Sequence, residues 1–96
     1  MSEFFCRIPK ISDHITTRFL GDEAFIMNLK NLKTYALNTS ASHIWSLIDG
    51  SATVDEILKK VIDEYDISEK ECGEAVTRII NYFCIEKLVV MVNPHE

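Results

Sequence analysis

Histidines and carboxylates are the side chains in this sequence most often used for chemistry, and their spacing decides whether they can act together. His14, His43 and His95 lie far apart, and no HxxxH or HExxH pattern occurs, so they predict no metal site. Carboxylate pairs such as Asp55 and Glu56 are sequence neighbours. On a helix, neighbours point about 100° apart, which does not suit a cooperating acid and base. The sequence therefore predicts no catalytic residue and no metal ion.

Cysteine and glycine patterns argue against two further classes of site. The three cysteines form no CxxC pair, which argues against a disulfide framework and a zinc knuckle. The three glycines form no GxGxxG, GxSxG or Walker pattern, so no loop is suited to surrounding a phosphate group. We therefore expect no cofactor and a protein that acts by binding.

Length and charge limit the architecture and the partners. Ninety-six residues are enough for one domain with a modest core. No apolar run approaches the roughly 18 residues of a membrane span, and the N-terminus does not resemble a signal peptide, so we expect a cytoplasmic protein without a membrane partner. Of the net charge of −5, residues 1–37 contribute +1 and residues 38–96 contribute −6. This acidic second half disfavours nucleic acid as a partner.

The first third of the chain predicts an arm followed by antiparallel strands. Residues 1–14 have mixed polarity, and we interpret them as an N-terminal arm that precedes a single domain over residues 15–92. Runs of β-branched and aromatic residues at 15–20, 24–29 and 34–37 alternate with short turns. This pattern is typical of a three-stranded antiparallel meander.

Three helices are predicted after the strands, which gives an α+β fold. Asn38 is a typical N-cap and predicts a helix over about 39–49, directly after the third strand. Thr53 and Ser68 each begin a capping-box pattern for the next two helices. The last helix, over about 69–86, has an apolar arc of about 160°, which is wider than the stripe of about 100° that one neighbour requires. Part of that face is therefore available for another partner.

The third strand is predicted to be a sheet edge, because the chain leaves it directly for a helix. An extended peptide could add to this edge as a further strand, with the last helix as the second wall of a groove. The apolar tail 88–92 is an alternative occupant of the edge, and the sequence does not distinguish the two. Tyr35→Pro would test the edge by removing a backbone donor. The predicted peptide-binding residues are Lys33, Thr34, Tyr35, Ala36 and Leu37 on the strand, and Ala75, Arg78, Ile79 and Tyr82 on the helix.

The central segment resembles the PqqD-like family of peptide chaperones, also called RiPP recognition elements. It reads YALNTSASHIWSLIDGSATVDEILKKVIDEYDIS and is followed by a helix ending in YFCIEKLVV. The resemblance spans about residues 15–90 and departs from the family pattern at Lys87, where a glycine is usual. The matching positions are Leu37, Asn38, Ala41, Ile44, Trp45, Leu47, Asp49, Gly50, Thr53, Glu56 and Ile57.

The resemblance implies a winged-helix-like arrangement of a three-stranded sheet and three helices. Family members bind the leader segment of a ribosomally synthesised precursor peptide by strand addition. They deliver it to a modifying enzyme, such as a radical SAM protein or a leader protease. The implied function is therefore non-catalytic peptide binding. Two alternatives stay open: a winged-helix regulator that binds nucleic acid, disfavoured by the acidic last helix, and a module that forms a homodimer through its tail and open edge.

Overall fold

A computed structural model describes residues 3–94, which form two small antiparallel sheets and four helices. The predicted α+β class is confirmed, as is the meander followed by three helices; the winged-helix-like arrangement stays a prediction. The elements are α1 (Glu3–Cys6), β1 (Ile8–Ile11), β2 (Ile15–Leu20), β3 (Glu23–Asn28), β4 (Thr34–Ala36), α2 (Thr39–Ser46), α3 (Val54–Glu64), α4 (Glu69–Ile85) and β5 (Val89–Val92).

The meander places β3 between β2 and β4. Gly21, in the β2–β3 turn, has a φ of 61°, a left-handed conformation that glycine adopts without a steric penalty. Side chains alternate between the two faces of the sheet. Ala24 and Ile26 are buried on the face toward the helices, whereas Phe25 lies on the opposite, exposed face.

The end of β4 and the start of α2 are coupled through Asn38. Its side-chain oxygen accepts a hydrogen bond of 2.8 Å from the N–H of Ala41, so the predicted N-cap is confirmed. The helix ends at Ser46, three residues before the predicted end. Asp49 instead organises the loop, because its carboxylate accepts from the N–H groups of Ser51 at 2.8 Å and Ala52 at 2.9 Å.

The core lies between the sheet and the helices and is centred on Trp45. The Trp45 ring packs edge-to-face on Phe83 of α4, with the ring centroids 5.1 Å apart. Its indole N–H donates to the Thr17 hydroxyl of β2 at 3.0 Å, which satisfies the one polar group of the ring. Trp45 therefore fixes α2 between the sheet and α4.

The apolar tail pairs with the N-terminal segment. Strand β5 runs antiparallel to β1, with Ile8 opposite Val92 and Ile11 opposite Val89. Ser12 extends this contact by donating its N–H to the Leu88 carbonyl at 3.0 Å. The tail is consequently held in a separate two-stranded sheet and does not pair with β4.

Candidate functional site

Strand β4 has one unpaired side. It pairs with β3, and no other strand within residues 3–94 pairs with its second side. The structure therefore resolves the two possibilities left by the sequence, because the tail that could have covered this edge pairs with β1 instead. A row of unpaired main-chain groups can accept a further strand from another polypeptide.

The register identifies which main-chain groups point away from the sheet. Asn28 donates to the carbonyl of Lys33, and Leu37 donates to the carbonyl of Ala24, both at 2.9 Å. Only alternate residues of an antiparallel strand bond to the same neighbour. Tyr35, opposite Ile26, therefore directs its N–H and C=O toward β3. The outward groups are those of the two residues that flank it, Thr34 and Ala36.

Because the N–H of Tyr35 points toward β3 and that of Ala36 points outward, Ala36→Pro tests the open edge better than Tyr35→Pro. A proline at Tyr35 would remove an N–H that bonds to β3, so it would damage the sheet itself. A proline at Ala36 removes an outward N–H, and prolines are tolerated at such edge positions. Leu37 contributes no free main-chain group, because its N–H and its C=O are both bonded inside the fold.

Ser42 holds the end of β4 in place. Its hydroxyl accepts from the N–H of Ala24 at 2.7 Å and donates to the carbonyl of Leu37 at 3.1 Å. The oxygen thus replaces the direct bond that would otherwise complete the ladder between β3 and the end of β4. Because Ser42 is only 1% exposed, no bulk water can take over these two bonds.

Helix α4 presents a stripe of side chains to β4. Ala75, Ile79, Tyr82 and Glu86 are spaced by four, three and four residues, which places them on one side of the helix. Glu86, at the C-cap, accepts a hydrogen bond of 2.9 Å from the Tyr35 hydroxyl. Ala75, Ile79 and Tyr82 therefore lie on the side of α4 that carries the Glu86 contact to Tyr35, and we refer to the surface between β4 and this stripe as the groove.

Lys33 completes a charged cluster at one end of the groove. Its ammonium lies 3.2 Å from the Glu86 carboxylate and 5.2 Å from the centre of the Tyr35 ring. The Tyr35 hydroxyl and then Lys33 lower the pKa of Glu86, because both stabilise its charged form. Glu86 in turn raises the pKa of Lys33. The pKa of Tyr35 is raised first by burial and then by Glu86. The cluster ties the C-terminal end of α4 to β4.

An apolar cavity beside the start of α2 adjoins the stripe of α4. This cavity has a volume of about 260 Å³, and Ala75 and Ile79 line it together with His43 and Tyr65. The imidazole Nε2 of His43 lies 2.9 Å from a carboxylate oxygen of Glu64, without the geometry of a hydrogen bond. The site thus combines a polar edge, an apolar wall and an apolar cavity, which suits an extended peptide with apolar side chains.

Arg78 borders the stripe, because it lies three residues after Ala75 and four residues before Tyr82, about 60° and 40° around α4 from them. It also lines a different cavity, of about 830 Å³, together with Phe5 and Leu58. Tyr82 is on the stripe and is 45% exposed, so its ring is accessible to a ligand.

Sequence reasoning missed two residues that shape the site. Ser42 looks like an ordinary polar residue of a first helical turn, and no sequence signal marks its role between two strands. Glu86 was detectable, because it lies four residues after Tyr82 and continues the same stripe. Within residues 3–94, no cluster of His, Cys, Asp or Glu is suited to a metal ion, and no helix has the length and apolar character needed to cross a bilayer.

Comparisons with known proteins identify one family and two similar solved structures. The sequence model of the family named Coenzyme PQQ synthesis protein D (PqqD) matches residues 23–89. The structure named TbiB1 in complex with the TbiA(beta) leader peptide has a TM-score of 0.79 and 22% identity, over 83% of this chain and 93% of that chain. The structure named lasso peptide synthetase B1 complexed with the leader peptide has a TM-score of 0.77 and 8% identity, over 85% of this chain and 96% of that chain. No curated protein matches this sequence.

Proposed function

The chain belongs to the PqqD family, and we propose that it binds the leader segment of a ribosomally synthesised precursor peptide as an added strand on β4. The observation that carries this proposal is the unpaired side of β4 next to the α4 stripe. Two structures with the same fold are named as complexes with a leader peptide, which supports a leader peptide as the ligand of this protein.

Main-chain hydrogen bonds alone do not supply the free energy of micromolar peptide binding. Thr34 and Ala36 offer two N–H and two C=O groups, and four hydrogen bonds contribute about 4 kcal/mol in total at about 1 kcal/mol each. Micromolar binding requires about 8 kcal/mol. Apolar contacts with Tyr35, Ile79 and Tyr82 must therefore supply at least half of the binding free energy. We expect peptides that pair with the edge but leave the groove empty to bind only weakly.

The function is positional and non-catalytic. By holding both the leader and a modifying enzyme, the protein raises the effective concentration of the peptide at that enzyme. The enzyme is a radical SAM protein or a leader protease. Binding takes place in the cytoplasm through the domain of residues 15–92, and a homodimer formed through the open edge would compete with the peptide for the same main-chain groups.

The edge is tested by comparing two proline variants. Ala36→Pro removes an outward N–H from β4. Phe19→Pro is the matched control, because the register of β2 and β3 directs the Phe19 N–H away from β3 at the opposite edge of the same sheet. The probes are synthetic peptides made for any short precursor reading frame found beside the gene, and binding is measured by calorimetry.

We expect Ala36→Pro to lose binding by at least about tenfold, since it removes one strand bond and displaces its neighbours. Phe19→Pro should bind like the wild type. Circular dichroism establishes that each variant keeps its helices. A folded Ala36→Pro protein with wild-type affinity would eliminate strand addition to β4.

A further inference from the structure

The face of the meander that points away from the helices continues directly into the proposed strand. Residues opposite one another in an antiparallel pair share a face of the sheet, so the register defines two rows across this outer face. The first row is Arg18, Phe25 and Ala36, and the second row is Thr16, Met27 and Thr34.

Phe25 is a large aromatic residue on a face that is otherwise mostly polar. It is 39% exposed, and within residues 3–94 its ring has no aromatic neighbour. A cavity of about 570 Å³ lies along this face and is lined in part by Arg18, Phe25, Met27 and Thr34. The Ala36 methyl group next to Phe25 is too small to cover the ring from the β4 side.

We propose that the leader segment carries an aromatic side chain at the position paired with Ala36, and that this side chain packs over Ala36 against Phe25. This inference rests on the proposed function, because it requires the peptide to be the next strand. Ala36 directs its main-chain groups outward, so a peptide residue that bonds to both of them has its side chain on the outer face. The peptide is thereby recognised on both faces, by the groove on one side and by Phe25 on the other.

Distances across the sheet favour an aromatic residue over a shorter one. Neighbouring strands lie about 4.8 Å apart, so the peptide residue and Phe25 are separated by about 9.6 Å across Ala36. Two rings that lean toward each other over a methyl group reach the usual centroid separation of about 4.5–7 Å. A serine or alanine at the same peptide position does not span the gap.

The test combines peptide selection with a double-mutant cycle. Random peptides displayed on phage are selected on the wild-type protein, and one selected peptide is synthesised with its recurring aromatic residue intact or replaced by serine. Both peptides are titrated against the wild type and against Phe25→Thr. The cycle is needed because the selection would also enrich a peptide with an aromatic residue that faces α4. Only a peptide residue on the outer face of the sheet is energetically coupled to Phe25.

We expect the serine replacement to weaken binding to the wild type roughly three- to tenfold, the effect of one cross-strand aromatic contact. The same replacement should weaken binding to Phe25→Thr less than about twofold. Leu20→Thr is the matched control, because Leu20 lies on the same outer face, 62% exposed, in the strand farthest from β4. It should behave like the wild type. Phe25→Leu, which keeps an apolar strand residue and removes the ring, takes the place of Phe25→Thr if that variant does not fold.

Two contrary outcomes have different meanings. If Ala36→Pro abolishes binding of the selected peptides but the cycle is additive for every aromatic position, the role of Phe25 is refuted and the proposed function stands. If the selected peptides bind Ala36→Pro as well as they bind the wild type, strand addition to β4 fails, and the role of Phe25 fails with it.

Discussion

Ser42→Ala is the substitution for which the structure makes the sharpest prediction about stability. The hydroxyl of Ser42 links two buried main-chain groups, the N–H of Ala24 and the C=O of Leu37. Alanine removes both bonds at once, and the site excludes bulk water because Ala24 is 0% and Leu37 5% exposed.

The expected loss is large for a domain of this size. A buried polar group left without a partner costs about 1–3 kcal/mol, so two such groups cost roughly 2–4 kcal/mol after partial relaxation. The higher helix propensity of alanine returns about 0.5 kcal/mol. The free energy of unfolding should therefore fall by about 2–3 kcal/mol, which lowers Tm by roughly 10–20 °C.

Urea and thermal denaturation followed by circular dichroism measure this difference. Ser46→Ala is the matched control, because Ser46 also lies in α2 and its hydroxyl donates to the carbonyl of His43 at 2.6 Å, but in an exposed position. The control should change the free energy of unfolding by less than about 0.5 kcal/mol. Equal stabilities for the two variants would refute the role assigned to the Ser42 hydroxyl.

Two further substitutions test the end of α4. Lys87 has a φ of 62°, a left-handed conformation that is costly for a residue with a Cβ atom. Lys87→Gly should therefore raise the free energy of unfolding by about 0.5–1 kcal/mol, even though glycine increases the conformational entropy of the unfolded chain. A Tm no higher than that of Lys87→Ala would contradict this. Because the pKa of Glu86 is lowered below its ordinary value near 4.5, the ionised carboxylate stabilises the folded state above that value, and this contribution is lost as pH falls through the folded-state pKa. Wild type should therefore exceed Glu86→Gln in Tm at neutral pH and lose that advantage in acid, whereas a Tm difference independent of pH would exclude the charged cluster as its source.

Local sequence signals predicted the meander and the three helices that follow it, but neither α1 nor β1. Asn38 caps α2, Gly21 occupies the turn between β2 and β3, and α4 ends within one residue of its predicted end. The resemblance of the central segment to the PqqD family was confirmed by the family match over residues 23–89. Caps and turns depend on contacts between residues a few positions apart in the chain. These contacts form in the same way whatever the tertiary arrangement of the other elements.

The candidate site was predicted only in part. The sequence identified β4 as an edge and Ala75, Ile79 and Tyr82 as an apolar surplus of the last helix. It grouped Arg78 with them, and only the structure shows that Arg78 also lines a cavity beside Phe5, since a helical wheel does not show which other elements pack nearby. Their contact with a peptide stays a prediction, as do the partner enzyme and the oligomeric state.

By itself the sequence determined the meander, the three helices that follow it, their turns and the family, since each depends on spacing along the chain. Only the tertiary structure decided that β5 pairs with β1 and that, within residues 3–94, one side of β4 stays unpaired. Strands β1 and β5 are separated by most of the chain, and their sequences do not specify a partner. The tertiary structure also decided which main-chain groups of β4 point outward. That depends on register, and a shift by one residue would exchange the inward and outward groups.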